Sequence, residues 1–230
     1  MPSYIAIQNT YDIFEMALFL NDTCVDHVQE DKRHTSKLFI PLLDQLLTKN
    51  SIQLSDLDFC AVNCGPGPFS TLRSIIASVN GLHLATGIPL IGIDGLQATF
   101  LEFYDPHYEN TVVLLNAFNH EVYYLLAHKG QITATGYQKI DTLLEDLSLR
   151  AHSPIHFIGN GVTLYHDLIK QVLGQHAIIA SNNPAMCSVA AIGALGIEKW
   201  CHHQDGKPDG ALAKTGLMPL HLKKHAVELQ

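Results

Sequence analysis

The chain has 230 residues, 47% hydrophobic and 16% charged, enough for one large or two small domains. No apolar run reaches the roughly 18 residues that a membrane-spanning helix needs, and no basic segment precedes a long apolar one at the start, so neither a span nor a signal peptide is expected. With 22 acidic against 14 basic residues the net charge is −8, and Lys32-Arg33 and Lys223-Lys224 are pairs rather than patches, which excludes a stand-alone nucleic-acid binder.

In chain order, Tyr4–Gln8, Phe14–Leu20 and Thr23–Gln29 read as strands, with Asn21-Asp22 as a hairpin turn. A helix follows over Ser36–Asn50, on the helical spacing of Leu38, Phe39, Leu42, Leu43, Leu46 and Leu47; Pro41 fits it only near the first turn. Then come a strand at Phe59–Asn63, a helix running to Gly87, a strand at Leu90–Ile93 and a short helix at Gly95–Phe103. After the turn-rich Tyr104-Asp105-Pro106-His107 the pattern repeats. Strands fit Val112–Leu115, Val122–His128 and Gln131–Tyr137, with Lys129-Gly130 as a turn, and a helix fits Asp141–Arg150 with Asp141 as its cap. A strand at His156–Ile158, a helix from Gly159-Asn160-Gly161 to Gly174, a strand at Ala177–Ala180 and a helix at Ser188–His203 complete it. The polar stretch Gln204–Lys214 reads as a loop. Five cysteines without a CxxC pair read as free buried thiols in a reducing compartment.

The most informative stretch is Gly65-Pro66-Gly67-Pro68-Phe69-Ser70-Thr71-Leu72-Arg73, between a buried strand and a helix. Two glycines around a proline make a tight loop whose backbone can approach another group closely. A phosphate-binding P-loop would carry Lys-Ser or Lys-Thr where Pro68-Phe69 stand, so that use is excluded. The stretch resembles the Gly-Pro-Gly-Ser-Phe-Thr-Gly-Leu-Arg signature of the TsaB (YeaZ) family. The resemblance continues through the helix after His34-Thr35-Ser36, the run Leu54-Ser55-Asp56-Leu57-Asp58, Gly87-Ile88-Pro89-Leu90-Ile91-Gly92-Ile93, Glu121-Val122-Tyr123-Tyr124 and Pro219-Leu220-His221-Leu222-Lys223.

This resemblance implies an α/β, duplicated actin-like (ribonuclease H-like) fold with two lobes, each βββαβαβα. The first lobe would be 1–103, joined by the C-terminal segment at about 215–230, and the second 104–214. It implies a cytoplasmic, non-catalytic subunit in the synthesis of N6-threonylcarbamoyladenosine at position 37 of tRNA. Its partners would be the catalytic TsaD and the ATPase TsaE, with a homodimer when alone and tRNA met only through the complex. It would have no cofactor of its own; ATP or ADP and metal would come with the partner subunits.

Enzymes of the actin superfamily usually keep a carboxylate at the end of the first strand, whose oxygen suits Mg²⁺. This chain has Gln8-Asn9-Thr10 there, and a neutral amide neither neutralises a cation nor acts as a base. Asp12, nearby, reads as a solvated turn residue or as a substitute. The TsaD relatives carry His-x-x-x-His; here His34 is followed four residues later by Leu38. His202-His203 are adjacent and chelate poorly, and no Gly-x-Ser-x-Gly elbow occurs. No catalytic or metal residue is therefore expected. Gly159-Asn160-Gly161 reads either as a plain strand–helix turn or as a turn that approaches a nucleoside. The enzyme alternatives are a small actin-fold kinase or ATPase and a glycoprotease-like peptidase.

Ser74, Ala77, Ser78, Gly81 and Ala85 form a small-residue strip beside the bulky Leu72, Ile75, Ile76, Val79 and Leu82. Both strips are compatible with a core. The resemblance instead implies that this helix and the one before it bind TsaD, with Leu38, Leu42, Ser74, Ala77, Ser78, Gly81 and Ala85 at the interface. Gly65, Pro66, Gly67, Phe69 and Arg73 form the signature loop, where Arg73 would bind either loop carbonyls or a partner carboxylate.

Overall fold

The computed structural model describes residues 2–150, 153–181, 183–207, 212–213 and 216–220. It divides into two units, the first from Met1–Gly95 with Ser188–Leu220 and the second from Leu96–Cys187. Each carries a mixed five-stranded sheet.

In the first unit, β1 (Ser3–Asn9), β2 (Ile13–Leu20) and β3 (Thr23–Asp31) form an antiparallel meander. The Asn21-Asp22 turn has φ of 54° and 66°, the left-handed values such a hairpin requires. Then α1 (Thr35–Lys49) leads to β4 (Phe59–Asn63), and α2 (Phe69–Thr86) leads to β5 (Leu90–Ile93). The order is β3-β2-β1-β4-β5, with β4 parallel to β1. Strand alternation divides the side chains between two faces. Ile5, Ile7, Phe14, Met16, Cys60 and Val62 pack with Phe39, Leu43 and Leu46 of α1 and Ile75 and Val79 of α2. Pro41 lies beyond the first turn of α1, inside the helix, and is exposed.

The opposite face bears Tyr4, Phe19 and Phe59, stacked at 4.9 and 4.6 Å. The helix Val189–Gln204, capped by Ser188, packs on this face, with Trp200 stacked on Phe59 at 5.0 Å. Its approach is close: a Cβ at Gly196 would stand 2.4 Å from Cβ of Ala61. This corrects the division expected from the sequence, which put the helix in the second lobe. Of the segment 215–230, Gly216–Leu220 joins the first unit, where Leu217 enters the core and the Leu220 N–H donates to the Cys64 carbonyl at 2.7 Å. Residues 221–230, and with them Lys223-Lys224, lie outside the described residues, as do 208–211 and 214 of the expected loop.

The second unit contains α3 (Gly95–Phe103) from Leu96 onward, a second departure from the expected boundary at 103. Here the Thr99 hydroxyl accepts from the Cys187 N–H at 3.1 Å. The meander β6 (Asn110–Asn116), β7 (Glu121–His128) and β8 (Gln131–Lys139) is followed by α4 (Ile140–Arg150) and β9 (Ile155–Ile158). The helix expected up to Gly174 is broken at Tyr165 into α5 (Asn160–Leu164) and α6 (His166–Leu173), before β10 (Ala177–Ile179) and the last helix, now α7. The order β10-β9-β6-β7-β8 repeats that of the first sheet. Asp141 is not the cap of α4 but lies in its first turn, 3.1 Å from His120. Val112, Leu114, Val122, Leu144, Phe157 and Ile169 are among the core residues.

Candidate partner surface and the signature loop

Strand β4 ends at Asn63, whose side chain turns back to accept from the Gly65 N–H at 2.9 Å. Gly65 has φ +101°, and a Cβ there would stand 2.7 Å from Leu72 Cδ2, so position 65 needs glycine on both counts. Its carbonyl accepts from the Gly95 N–H at 2.7 Å. The loop is thus held inside its own unit. Within the chain the Arg73 guanidinium lies 3.8 Å over the Phe69 ring, a cation–π contact.

The two strips of α2 face opposite ways. Leu72, Ile75, Ile76, Val79 and Leu82 are buried, whereas Ala77, Gly81 and Ala85 are exposed. Ser74 and Ser78 are half-buried, and the Ser78 hydroxyl donates to the Ser74 carbonyl at 2.9 Å. A Cβ on Gly81 would meet nothing within 4 Å. On α1 the expectation for Leu42 is corrected: it belongs to the core, and Leu38 is partly buried against that core. The helical period identifies residues that share a face without fixing the outward direction. Two outward apolar residues escaped notice in the sequence, Leu84 at 88% exposure and Ile40 at 58%. Ile40 borders a groove of about 360 Å³ lined also by Leu43, Leu47, Ile52, Leu54 and Leu82. Leu84 lies outside the bulky strip, which is why periodicity missed it.

At the end of β1, Gln8 is wholly buried. Its carbonyl oxygen accepts from the Asn63 amide at 3.3 Å, and it also hydrogen-bonds to Glu15, its register partner on β2. Glu15 lies 3.5 Å from Nε2 of His27 on β3. Burial pushes the Glu15 carboxyl above its ordinary range, while the charge and hydrogen bond of His27 and the bond from Gln8 draw it partly back. A hydrogen-bonded chain therefore crosses four strands and ends on the signature loop. Glu15 went unnoticed in the sequence; the available signal was a lone carboxylate inside the apolar run Ile13–Leu20. Asp12 is a turn residue with its side chain 92% exposed, 4.0 Å from Lys32.

Gly159-Asn160-Gly161 is explained by packing. A Cβ at Gly159 would stand 2.3 Å from the Leu114 carbonyl oxygen. The Asn160 side chain accepts from the Asn116 N–H at 2.9 Å. His34 is exposed at the start of α1 and makes no side-chain cap, and His203 packs on Trp200 with ring centroids 6.1 Å apart. Among the described residues no group of three or more His, Cys, Asp or Glu is placed to hold a metal, and no helix is long and apolar enough to cross a membrane. The cysteines are free: Cys60, Cys64 and Cys187 are buried, but Cys24 and Cys201 are exposed, contrary to a uniformly buried set.

A family model described as TsaD, tRNA N6-adenosine threonylcarbamoyltransferase, matches residues 27–204. A TsaB of Haemophilus influenzae, described as a tRNA threonylcarbamoyladenosine biosynthesis protein, is 30% identical over 101 residues, covering 43% of this chain and 42% of that protein. A tRNA N6-adenosine threonylcarbamoyltransferase of Solidesulfovibrio magneticus is 46% identical over 61 residues, covering 26% of this chain and 16% of that one. These matches thus span less than half of either curated relative. Among solved structures, a Pseudomonas aeruginosa protein with similarity to peptidase YeaZ superposes with a TM-score of 0.74 at 17% identity, over 97% of this chain and 100% of that one. A Bacteroides thetaiotaomicron protein with an actin-like ATPase fold gives 0.51 at 9% identity, over 84% and 95%. These structures establish the two-lobe α/β actin-like fold, and with more than half of its length matched by the family model, the chain belongs to the TsaD family, with similarity to TsaB proteins over less than half of its length.

Proposed function

We propose that this chain is the non-catalytic subunit of the complex that makes N6-threonylcarbamoyladenosine in tRNA. In this role it binds and supports a catalytic TsaD subunit in the cytoplasm, together with the ATPase TsaE. The observation that carries the reading is the outward strip of Ala77, Gly81 and Ala85 on α2, with exposed Leu84 on the same helix and exposed Ile40 on α1. Small residues let another helix approach closely, and exposed large apolar side chains beside them add apolar area to a contact. The buried amide of Gln8 supports the non-catalytic half of the reading, since it can neither neutralise a metal ion nor act as a base. In this reading ATP or ADP and metal belong to the partner subunits, tRNA is met through the complex, and the free chain pairs with itself through the same strip.

One observation favours a second reading, a small actin-fold kinase or ATPase: Glu15 puts a partly buried carboxylate beside Gln8. Two measurements on the purified chain separate the readings. The first mixes it with the TsaD subunit of the same cell and follows complex formation and threonylcarbamoyl transfer to tRNA. The second follows Mg-ATP turnover by the chain alone. The subunit reading requires a stable TsaD complex with higher transfer than TsaD alone, and no turnover above background in the isolated chain. Robust turnover by the chain without TsaD would establish the second reading instead.

A further inference from the structure

The second unit carries a recess that the subunit reading does not use. It opens on the α4 face of the sheet, where β6 begins and β7 ends, and has a volume of about 190 Å³. Val112, Leu126, Ala127, Ile155 and Leu147 of α4 line it, so its body is apolar. The polar groups gather at one rim. His128 and Thr133 are exposed there, and Asn110 stands opposite His128 in the β6–β7 register. Thr133 is the extra residue of a bulge: Leu126 pairs with Ala134 and Ala127 with Ile132, which leaves Thr133 between them without a register partner. The hydrogen bonds of this rim decide what it can recognise. The Asn110 amide nitrogen donates to Ser153 Oγ at 2.7 Å, and its carbonyl oxygen lies 3.0 Å from Nδ1 of His128. A carbonyl oxygen only accepts, so Nδ1 carries the proton of the neutral ring and Nε2 is left as an acceptor. The Thr133 hydroxyl gives its proton to the Leu126 carbonyl at 3.1 Å, so its oxygen is an acceptor as well.

We propose that this recess is a binding site for a small neutral molecule, about one ring in size, that carries a hydroxyl group. The size follows from the volume: an engineered apolar cavity of about 150 Å³ takes benzene, so 190 Å³ has room for a six-membered ring with a substituent. The head group follows from the rim, where two acceptors call for a donor. A carboxylate carries only acceptors and would face Nε2 and the Thr133 oxygen with no proton between them. An ammonium could donate, but none of the lining residues is acidic, so its charge would be desolvated against apolar walls without a partner. A hydroxyl donates to Nε2 and brings no charge into the recess. The site is independent of the helical surface on α1 and α2.

The test uses the full chain at pH 8 and p-cresol, a phenol with one methyl group, as the probe. An NMR titration should show saturable shifts at Leu126, Leu147 and the His128 ring, with contacts from the p-cresol methyl group to both leucines. The anion p-toluate, the same body with an acceptor-only head, should not bind. His128→Ala should weaken p-cresol binding roughly three- to tenfold, the range of one net hydrogen bond. Leu147→Trp, which fills the recess from its wall, should abolish binding. Nitrogen-15 spectra of the His128 ring should show its proton on Nδ1 with no probe present, and this arm, like the methyl contacts, holds even if Leu147→Trp fails to fold. A tyrosine side chain of a partner has the same chemistry as the probe, so N-acetyltyrosine amide should bind no tighter than p-cresol. If it binds tenfold tighter or more, the recess receives a partner's tyrosine and the small-molecule site is overturned. The proposal also falls if p-cresol does not saturate, if its contacts map elsewhere, if p-toluate binds as well, or if the His128 proton sits on Nε2.

Discussion

The strip on α2 makes Gly81→Arg an informative substitution. Within the unit, position 81 is exposed and a Cβ there meets nothing within 4 Å, so the arginine points into open space. Replacing an exposed mid-helix glycine by a good helix former stabilises the helix by up to about 1 kcal/mol, worth about 2–4 °C in melting temperature for a chain of this size. The free variant is therefore expected to melt at or slightly above the parent. In a complex where a helix lies against Ala77, Gly81 and Ala85, the same side chain must be accommodated or displace the contact. Overpacking costs about 1–3 kcal/mol, and a buried unpaired guanidinium adds several more. A combined cost of about 3–5 kcal/mol weakens binding by roughly two to four orders of magnitude. Thermal melting of the variant and calorimetric titration against TsaD measure the two effects separately. A folded variant that binds TsaD as tightly as the parent refutes the assignment of this strip, and a variant that unfolds refutes the claim that the strip faces outward.

Four further outcomes are expected. Gly196→Leu should destabilise the first unit by about 1–3 kcal/mol in urea melts, because even a Cβ there comes within 2.4 Å of Ala61; an unchanged midpoint would contradict the packing of α7 on this sheet. The Glu15 carboxyl is raised above its unfolded value, so it favours the fold fully below the ordinary carboxylate range, and that contribution is lost as pH rises through the raised value. Glu15→Gln should therefore melt above the parent at neutral pH, with the gap closing on acidification; a gap that widens toward acid has the wrong sign. Gln8→Asp should yield no ATPase and should lower the melting temperature, which Mg-ATP assays and calorimetry check together. Burial pushes the Cys60 thiol up to about 12 and Cys64 to about 11, so native alkylation at pH 8 should label only Cys24 and Cys201, and mass spectrometry finding rapid adducts on Cys60 or Cys64 would contradict the buried core.

Most elements were legible because local signals fix them. The turns at Asn21-Asp22 and Lys129-Gly130 adopt left-handed φ where the sequence places turn residues, and the apolar spacing of both first-lobe helices matches their buried faces. Non-local choices were not legible. Nothing local says that α7 covers the first sheet, since that follows from how its glycines fit against Phe19 and Ala61, residues more than a hundred positions earlier. Leu42 and Leu84 show the same limit on a smaller scale: periodicity ranks neighbours around a helix, but the packing of α1 against α2 decides which residue is sealed in and which faces out. Glu15 became meaningful only once the β1–β2 register set it beside Gln8.

That register also gives a physical reason for an amide at position 8. The Gly65 N–H donates to Asn63, the Asn63 amide donates to Gln8, and Gln8 bonds onward to Glu15, which faces His27. Only a side chain that both accepts and donates can stand between Asn63 and a carboxylate. An aspartate there could accept from Asn63 but would offer Glu15 no proton at neutral pH, and it would set two carboxylates side by side in a buried place. One of them would have to stay protonated or the pair would repel. The residue at the strand end is thus fixed by its neighbours on β2 and β4, and restoring a carboxylate by a single change breaks a chain of bonds that holds the signature loop. The expected result for Gln8→Asp, a less stable chain with no gain of ATP turnover, follows from that geometry. A variant that melts like the parent would show that the chain of bonds contributes nothing to the fold.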